Sequence, residues 1–437
     1  MKRIAFYTLG CKVNQADTAS MEAIFRAAGY QIVGFQEQAD IYLINTCVVT
    51  NMGQRKSRQI INRAVRSNPL ALTVVTGCYP QTAPEEVKAI AGVDVIIGNQ
   101  ERGRIVELVE QALADKEHEV LDNVHKMTVQ TQFEELVAGT DTGRTRAFLK
   151  IQEGCNQFCT YCIIPYARGP LRSRSLESIR QEVSKLVAAG YKEVVLIGIH
   201  LGCYGKEQPD GPSLYDAVKA ALSVPGLKRL RLGSLESVEV EPQLLNLMQQ
   251  DARLCRHLHL PLQSGCDKIL RAMHRPYDTA RFRELLQQIR SILPDIMITT
   301  DIIVGFPGET DEDFQETLRF AESCGFAKMH VFPYSRRKGT PAEKMPQQVE
   351  DNVKQRRAAL LAELDEKLQR KAMESIVGKT VEVLFEQPVD ETHIEGLAGD
   401  YLRIVAAGDS KLCGEIGRVK ILGISDDFLQ GELVNIL

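Results

Sequence analysis

The stretch Cys155-Asn156-Gln157-Phe158-Cys159-Thr160-Tyr161-Cys162 places three thiols, spaced x3 and then x2, within eight residues. Three thiolates so close together can hold one corner of an iron–sulfur cubane, and because a cubane has four irons, one iron then has no protein ligand. A structural zinc site would need a fourth Cys or His nearby. The next His, His200, is separated from this stretch by a predicted helix and strand. The spacing therefore favours a [4Fe-4S] cluster with one open iron over a closed zinc site.

The composition is that of an intracellular protein with several domains. The chain has 437 residues, of which 44% are hydrophobic, enough for two to four domains with substantial cores. Its 11 cysteines, an odd number, fit metal ligation and reduced thiols better than disulfides. The start does not resemble a signal peptide and no apolar run reaches about 18 residues, so we expect a cytoplasmic protein without membrane spans. The net charge of -4 does not favour nucleic-acid binding, so any basic surface must be local.

Residues 1–113 predict an α/β domain with a doubly wound parallel sheet. Short apolar strands alternate with helical segments, as in sheets that carry helices on both faces. In the flavodoxin-like strand order that we expect, the strands followed by cysteines are immediate neighbours. The predicted strands are Lys2–Leu9, Gln31–Phe35, Ile41–Thr46, Leu72–Thr76 and Asp94–Ile97.

Three of these strands lead directly into a cysteine, at Cys11, Cys47 and Cys78. Parallel strands bring their carboxyl ends to one edge of the sheet, where ligands of such folds bind. Because neighbouring strands lie about 4.8 Å apart, small adjustments of the loops would let the three thiols reach one cluster. The alternative is that these are three small buried residues at strand ends, and the spacing alone leaves both readings open.

The strand and helix pattern restarts at Arg146, and residues 145–345 contain six such units. Six units predict a partial (β/α)6 barrel, shorter than the complete eight-fold barrel, with its active site at the carboxyl ends of the strands. The stretch with three thiols follows the first of these strands. The predicted strands are Ala147–Gln152, Glu193–Ile197, Lys228–Gly233, His257–Leu260, Ile296–Val304 and Ala327–Phe332.

Three further segments complete the chain. Residues 114–144, rich in charged residues, Thr and Gly, predict a linker, and residues 346–374 predict one long helix. Residues 375–437 predict a small all-β barrel, a type that can bind nucleic acid. This segment has five Lys and Arg against eleven Asp and Glu, a charge of -6, so it should not be the main anchor for a polyanion. Its predicted strands are Thr380–Phe385, Tyr401–Val405, Ile416–Ile424 and Leu429–Leu433.

The stretch with three thiols, with an aromatic residue before its last Cys, resembles the radical S-adenosylmethionine (SAM) superfamily. Together with the runs Thr8–Gln15, Asn45–Thr50 and Gly77–Gln81, it is similar to the methylthiotransferases, which insert sulfur and a methyl group at unactivated carbons of RNA or protein. The C-terminal segment resembles the TRAM domain of RNA-modifying enzymes. The resemblance implies two molecules of SAM and two [4Fe-4S] clusters, at Cys155, Cys159 and Cys162 and at Cys11, Cys47 and Cys78.

By this resemblance, sulfur on the second cluster takes a methyl group from one SAM. One electron from a reductant protein splits the other SAM to give a radical that activates the target carbon, and the sulfur donor is left open. The cofactors then carry the difficult chemistry, so no catalytic residue is predicted beyond the cluster ligands.

The runs Lys12–Gln15 and Val49–Thr50 look most like the enzymes that modify C2 of N6-threonylcarbamoyladenosine 37 in tRNA. The expected partner is therefore the tRNA anticodon stem-loop, whose splayed bases a protein pocket can accept. Methylthiotransferases that act on isopentenyladenosine 37 or on a ribosomal protein are the alternatives. A different class, an iron–sulfur protein that binds RNA without catalysis, also remains open.

The residues that follow the barrel strands are candidate SAM ligands, and by the resemblance Tyr161 lies against the adenine. The predicted cofactor-binding residues are Tyr161, Gly198, Ser234, Glu236, Gln263 and Val304. A second group could orient the SAM carboxylate or a substrate phosphate, namely Arg168, Arg172 and Arg174. The other five cysteines show no ligand spacing, and we interpret them as ordinary small residues: Cys203, Cys255, Cys266, Cys324 and Cys413.

Residues 51–70 contain five Lys and Arg and no acidic residue. Such a run is commonly a solvated helix face, but directly after a cluster-bearing strand it could also contact RNA phosphates. A second basic segment, around Arg336, follows the last barrel strand. The predicted tRNA-binding residues are Arg55, Arg58, Arg63 and Arg336.

Overall fold

The computed structural model describes residues 1–115, 120–141 and 143–437. The N-terminal part is a six-stranded parallel sheet in the order β2-β1-β3-β4-β5-β6, which confirms the predicted flavodoxin-like order of the first five strands. Helices α1 and α5 cover one face of the sheet, and α2 and α4 cover the other. The elements are β1 Arg3–Thr8, α1 Lys12–Ala27, β2 Gln31–Val33, β3 Ile41–Thr46, α2 Asn51–Ser67, β4 Leu72–Gly77, α3 Cys78–Thr82, α4 Pro84–Lys88, β5 Val95–Ile97, α5 Ile105–Ala114 and β6 Leu121–Asn123.

The sixth strand differs from the prediction, because Leu121–Asn123 lies within the segment expected to be a linker. It pairs in parallel with β5, Val95 opposite Leu121, and so extends the sheet beyond residue 113. A strand of three residues is too short to produce an alternating pattern in a segment rich in charged residues, Thr and Gly. Residues 116–119 and 142 of the predicted linker lie outside the described residues.

The central part confirms the partial (β/α)6 barrel. Two parallel sheets, β7-β10-β11 and β12-β13-β14, are joined by isolated bridges at Leu230–Leu254 and Ser234–His259, so six strands follow one another in sequence order. The main core lies between these strands and the helices outside them. The elements are β7 Arg146–Lys150, β8 Gln152–Glu153, α6 Ile164–Arg168, β9 Arg172–Ser173, α7 Leu176–Ala188, β10 Glu193–Ile197, α8 Leu214–Leu222, β11 Arg229–Leu232, α9 Pro242–Gln250, β12 His257–His259, α10 Asp267–Ala272, α11 Thr279–Ile292, β13 Met297–Val304, α12 Asp311–Cys324 and β14 Lys328–Pro333.

Local sequence explains several of these boundaries. All five residues of β10 are buried, which is why Glu193–Ile197 is a nearly continuous apolar run rather than an alternating one. Helix α12 begins with a capping box formed by Thr310 and Asp313, and it ends at Gly325 in the left-handed conformation. These signals fix where the helix between two barrel strands begins and ends.

The C-terminal part is a closed five-stranded barrel in the order β15-β16-β17-β19-β18. It confirms the small all-β barrel, but it has one strand more than we predicted, because Gly396 interrupts the alternation of polar and apolar residues in His393–Ala398. Tyr401 was placed in a strand and lies instead in the turn before β17, with φ +75°. The remaining elements are α13 Asp351–Glu374, β15 Thr380–Pro388, β16 His393–Ala398, β17 Arg403–Ala407, β18 Ile416–Ser425 and β19 Phe428–Ile436.

The central barrel contacts both of its neighbours. Val13 and Ala16 of α1 pack with Val195 and Ile197 of β10, so an N-terminal helix covers part of the inner face of the partial barrel. On the other side, the Arg231 guanidinium donates hydrogen bonds to backbone carbonyls of the turn after β16, at 3.0 and 3.1 Å. Within the described ranges, no helix combines the length and apolar character needed to cross a membrane.

Candidate active site

Backbone hydrogen bonds hold the loop 155–162 in a fixed position on the barrel. The N–H of Cys155 donates to the Gly169 carbonyl at 3.0 Å, and the N–H of Thr160 donates to the Met273 carbonyl at 3.1 Å. The loop is therefore tied both to the segment that follows it and to the segment after the fourth barrel strand. This anchoring positions the three thiols before any ligand binds.

Two polar side chains contact the thiols of this loop. The Arg275 Nη1 donates to Cys159 Sγ at 3.1 Å, and the His200 Nδ1 lies 3.4 Å from Cys155 Sγ. Burial raises the pKa of the Cys162 thiol to about 12, so the free thiol is protonated at neutral pH. A metal would therefore displace protons on binding, and the Arg275 guanidinium lies where it would stabilise the resulting thiolate.

The second trio of thiols lies at the carboxyl ends of three adjacent strands. A Cβ atom at Gly10 would come within 2.9 Å of Cys47 Sγ, so this loop passes directly over the Cys47 side chain. The Asn14 amide donates to the Leu9 and Thr46 carbonyls at 2.7 and 3.0 Å, which ties two of the three cysteine loops together. Burial, followed by the influence of Cys78, raises the pKa of the Cys47 thiol to about 11.

Both trios suit a polynuclear cluster better than a single metal ion. Among the described residues, two groups of three metal-binding side chains have all their ligand atoms within 4.8 Å of one another, and neither group is one of the cysteine trios. The three thiols of each trio are therefore spread more widely than this limit. A single tetrahedral zinc, with bonds of about 2.3 Å to sulfur, would need the thiols closer together than that limit. Thiolates are also the usual ligands of iron–sulfur clusters, so the donor atoms and their separation fit the expected [4Fe-4S] groups.

A buried ionic network connects α1 of the N-terminal part to the barrel residues on both sides of the loop 155–162. The Arg168 Nη1 lies 3.0 Å from Asp17 Oδ2 and 3.1 Å from Glu153 Oε1, while Lys150 Nζ donates to Glu153 at 2.8 Å. All four side chains are at most 8% exposed. Burial works against the ionised carboxylate, but Arg168 and Lys150 lower the pKa of Glu153 to about 2. Burial raises the pKa of the Cys11 thiol, and the positive charge of Arg168 opposes that rise. Arg168 is therefore close enough to the second trio to influence it, although it belongs to the segment that follows the first trio.

This network corrects the prediction for three arginines near the loop. Arg168 is fully buried and engaged by Asp17 and Glu153. Arg172 Nη2 donates to the Arg168 carbonyl at 3.0 Å, and Arg174 Nε donates to the Lys150 carbonyl at 3.1 Å. All three guanidinium groups are internal, so they are not placed to bind a SAM carboxylate or a substrate phosphate.

Two of the predicted SAM residues lie beside the first trio. Glu236 forms an ion pair with Arg275, the residue that contacts Cys159. The Tyr161 ring lies edge-on to Phe306 with centroids 6.5 Å apart, and burial raises its pKa well above the usual range. These side chains form one wall next to the thiols, a wall that is apolar at Tyr161 and charged at Glu236.

The other four predicted SAM residues have separate positions. A Cβ atom at Gly198 would come within 2.9 Å of the Gln152 side chain, so packing within the protein already requires glycine there. Gln263 has φ +65° and bridges to the fifth strand, and Ser234 bridges to His259. The Val304 side chain is buried in the core between strands and helices, so only its backbone faces the carboxyl end of the barrel.

The predicted tRNA-binding residues lie on two segments that contact each other. Arg55, Arg58 and Arg63 are exposed on α2, a helix that Thr50 caps by accepting a hydrogen bond from Gly53. Exposed Arg336 belongs to the segment after β14, and its carbonyl accepts a hydrogen bond from the Asn51 side chain at 2.8 Å. The structure therefore joins the two basic segments into one surface beside the second trio.

The sequence did not predict a cluster of three polar side chains formed by His200, Cys203 and Glu239. His200 Nε2 lies 2.7 Å from Glu239 Oε1, and the Cys203 thiol lies 2.9 Å from the same oxygen. The spacing His200-x-x-Cys203 was a weak signal of this group, but Glu239 lies on another barrel loop and had none. Because His200 also contacts Cys155, this group supports the first trio from outside.

Comparisons with known proteins agree with this division of the chain. Residues 3–98 match the family model described as uncharacterized protein family UPF0004, which contains Cys11, Cys47 and Cys78. Residues 149–321 match the model of the radical SAM superfamily, which contains the loop 155–162. The two trios of cysteines therefore fall in separate family regions.

Full-length relatives give a more specific comparison. The chain is 41% identical over 441 residues, 100% of this chain and 97% of the relative, to the threonylcarbamoyladenosine tRNA methylthiotransferase MtaB of Bacillus subtilis (strain 168). It is 38% identical to the protein of the same name from Aquifex aeolicus (strain VF5), with 96% and 100% of the two chains covered. A tRNA-2-methylthio-N(6)-dimethylallyladenosine synthase of Clostridium perfringens (strain SM101 / Type A) is 34% identical, with 99% and 98% covered.

Solved structures support the fold. The radical S-adenosylmethionine methyltransferase TsrM from Kitasatospora setae matches with a TM-score of 0.56 at 14% identity, covering 76% of this chain and 73% of that chain. The cobalamin-dependent S-adenosylmethionine radical enzyme OxsB matches with a TM-score of 0.55 at 13% identity, covering 84% and 62%. Both likenesses concern the arrangement of strands and helices alone.

Proposed function

This chain belongs to the family of radical SAM methylthiotransferases that modify tRNA, and we propose that its substrate is N6-threonylcarbamoyladenosine 37, which it converts to the 2-methylthio derivative. The observation that carries the proposal is the pair of cysteine trios, one at the edge of the N-terminal sheet and one in the barrel loop 155–162, in a chain whose relatives differ in the nucleoside that they are named for. The relatives with 41% and 38% identity are named for this nucleoside, and the isopentenyl-type relative has 34%.

A [4Fe-4S] cluster and SAM are the cofactors of a radical SAM enzyme, and we infer two clusters and two molecules of SAM here. Cys155, Cys159 and Cys162 would hold the cluster that serves radical chemistry, and the trio at the sheet edge would hold the one that carries sulfur. When bound, these groups supply the electron transfer, the sulfur and the methyl group.

The protein side chains bind and orient the reactants. Arg275 stabilises the Cys159 thiolate through its 3.1 Å hydrogen bond, and Tyr161 offers an apolar surface for the adenine of SAM. Glu236, on the same wall, is placed to accept hydrogen bonds from ribose hydroxyls or from the SAM amino group. The remaining candidate SAM contacts are Gly198, Ser234, Gln263 and Val304. None of these residues has to act as a base, since hydrogen removal belongs to the cofactor.

We propose that the anticodon stem-loop binds on the joined basic surface formed by α2 and the segment around Arg336. Lys and Arg at this surface would neutralise phosphates, while the acidic C-terminal barrel would contribute local contacts. A one-electron reductant protein is the second partner. We infer a cytoplasmic location, because both a tRNA substrate and reduced thiols suit that compartment.

The test is a reaction of anaerobically reconstituted protein with reductant, SAM and three tRNAs, unmodified, threonylcarbamoylated or isopentenylated, followed by mass spectrometry of the digested nucleosides. A methylthio mass gain on threonylcarbamoyladenosine alone supports the proposal. A methylthio mass gain on isopentenyladenosine alone would show that isopentenyladenosine, and not threonylcarbamoyladenosine, is the substrate. Release of 5′-deoxyadenosine with no gain on any tRNA would leave a ribosomal protein as the next substrate to test.

A further inference from the structure

A cavity of about 640 Å³ lies where the three parts of the molecule meet. Its walls are the inner face of the barrel, the start of α1 and the turn that precedes β17. The side chains that matter below are Lys12, His257, His259, Asp301, His330 and Tyr401. This volume falls in the usual range of ligand sites, about 300–1,000 Å³, and Lys12 directly follows Cys11, so the cavity borders the second trio.

The cavity contains a lysine without a counter-ion. Among the described residues, no carboxylate lies within ion-pair distance of Lys12 Nζ, whose nearest polar contact is the Tyr401 hydroxyl at 3.4 Å. The same hydroxyl accepts a hydrogen bond from Arg146 at 3.2 Å, and the Arg231 guanidinium lies 4.5 Å from the centroid of the Tyr401 ring. Arg146 is paired with Glu386 at 2.7 Å and Arg231 with Glu193 at 2.8 Å. Of these three cations, Lys12 is therefore the one that no carboxylate neutralises among the described residues.

The acidic residues that line the cavity do not cancel this charge at Lys12. Asp301 pairs with His259 at 3.2 Å, and Asp427 pairs with Arg403 at 3.4 Å. Asp400 accepts a hydrogen bond from the Leu402 N–H at 3.2 Å. An anionic ligand group would therefore find a free cation at Lys12 and an acidic side chain only at some distance.

Another wall of the cavity offers a group of hydrogen-bonding side chains. His259, Asp301 and His330 have ligand atoms that all lie within 4.8 Å of one another. His257 is 95% buried and its Nδ1 has no hydrogen-bond partner, although its Nε2 contacts the Thr299 hydroxyl at 3.1 Å. This nitrogen is itself inaccessible, so the polar groups that this wall offers to a ligand are those of His259, Asp301 and His330.

We propose that this cavity receives the threonylcarbamoyl group of the substrate nucleoside, with Lys12 binding its carboxylate and the wall of His259, Asp301 and His330 binding its hydroxyl and ureido groups. This proposal rests on the proposed function and names the residues that select the nucleoside. The threonylcarbamoyl group has an anionic carboxylate and neutral hydroxyl and ureido groups. These match Lys12 on one side of the cavity and the polar wall on the other. A dimethylallyl group has neither, and it would leave Lys12 and the side chains of His259 and His330 without ligand partners, which is how polar sites reject apolar analogues.

The test measures binding of a synthetic anticodon stem-loop to the reconstituted holoenzyme, with the RNA carrying threonylcarbamoyladenosine, dimethylallyladenosine or plain adenosine. In the wild-type protein we expect the threonylcarbamoyl RNA to bind at least about 10-fold more tightly than the plain RNA, since charge-assisted hydrogen bonds have that effect. Lys12→Met and His330→Phe should each bring the ratio towards 1, with little change in the Kd of the plain RNA. Lys219→Met, the same change on the exposed face of α8, should leave the ratio intact.

Iron content and the cluster absorbance of each variant are measured first, because Lys12 is adjacent to Cys11. If wild type modifies threonylcarbamoyladenosine and both variants keep the wild-type ratio, the cavity assignment is wrong and the proposed function stands. If wild type prefers the dimethylallyl RNA, the proposed function fails and the cavity assignment fails with it. If purified protein holds a stoichiometric metal other than iron that is lost in His330→Phe, the wall is a metal site and the proposal is overturned.

Discussion

Replacing Arg168 with Met should destabilise the protein far more than the loss of an ordinary surface ion pair. The guanidinium is fully buried and contacts Asp17 and Glu153 at 3.0 and 3.1 Å. Removing one partner of a buried pair costs about 3–5 kcal/mol when the other charge is left uncompensated. Here Lys150 and Arg102 still face the two carboxylates, so this figure is the upper limit of the effect. Arg180→Met is the matched control, because Arg180 pairs with Glu177 on the surface with both side chains 57% exposed, and such pairs contribute about 0–1 kcal/mol.

The pKa of Glu153 shows the summed effect of burial, which raises it, and of Arg168 and Lys150, which lower it. Its value is about 4.5 in the unfolded chain and about 2 in the folded protein, and each unit corresponds to about 1.4 kcal/mol. The shift therefore contributes on the order of 3 kcal/mol of stability. Because the folded pKa is the lower one, this contribution is complete above about pH 4.5 and is lost as the pH falls towards about 2.

The assay is urea unfolding of wild type and both variants, followed by circular dichroism. Iron-free protein is used for the pH series because acid releases sulfide from clusters. We expect the gap between wild type and Arg168→Met to narrow by about 1 kcal/mol between about pH 7 and about pH 4. Equal and small effects of Arg168→Met and Arg180→Met would refute the view that the buried network connects α1 to the barrel through a structural cation.

Three further predictions concern the cluster ligands and the basic helix. Cys159→Ala should lower the iron bound after reconstitution by about half, since one of two clusters loses a thiolate, whereas Cys324→Ala should bind iron normally; equal iron in both would exclude Cys159 as a ligand. Arg55→Ala should weaken tRNA binding and reduce the slope of log K against log salt by about 1, and an unchanged slope in a salt titration would remove this residue from the interface. Thr50→Ala should destabilise α2 by about 1 kcal/mol, measured by hydrogen exchange of the amides in its first turn. Unchanged exchange of these amides would show that the Thr50 cap does not stabilise the helix.

The elements that carry a strong local signal could be predicted from the sequence. The alternation of apolar strands with helices gave the parallel sheets, because strands covered on both faces are continuous apolar runs. The strands Leu121–Asn123 and His393–Ala398 were missed because one is three residues long and the other contains polar residues and glycine. The turn at Tyr401 was missed because a non-glycine residue with φ +75° is set by its tertiary contacts.

The candidate site divides in the same way. The predicted cluster ligands of the loop 155–162 are close in sequence, so their spacing alone predicts the cluster type. Arg168 was assigned from its position along the chain, and its partner Asp17 had no sequence signal. Glu239, the partner of His200, had none either. Contacts between residues more than 30 positions apart depend on how the domains pack, and no local pattern encodes that packing.

The sequence by itself determined the α/β class, the order of the barrel units and the two sets of cysteines, because helix and strand periods and short ligand spacings are local properties of a chain. Only the tertiary structure decided that Arg168 is an internal cation, that the two basic segments form one surface, and that Lys12 and His330 share a cavity. These features arise where separate domains meet, since charges and cavities there are shaped by residues that the chain brings together only on folding.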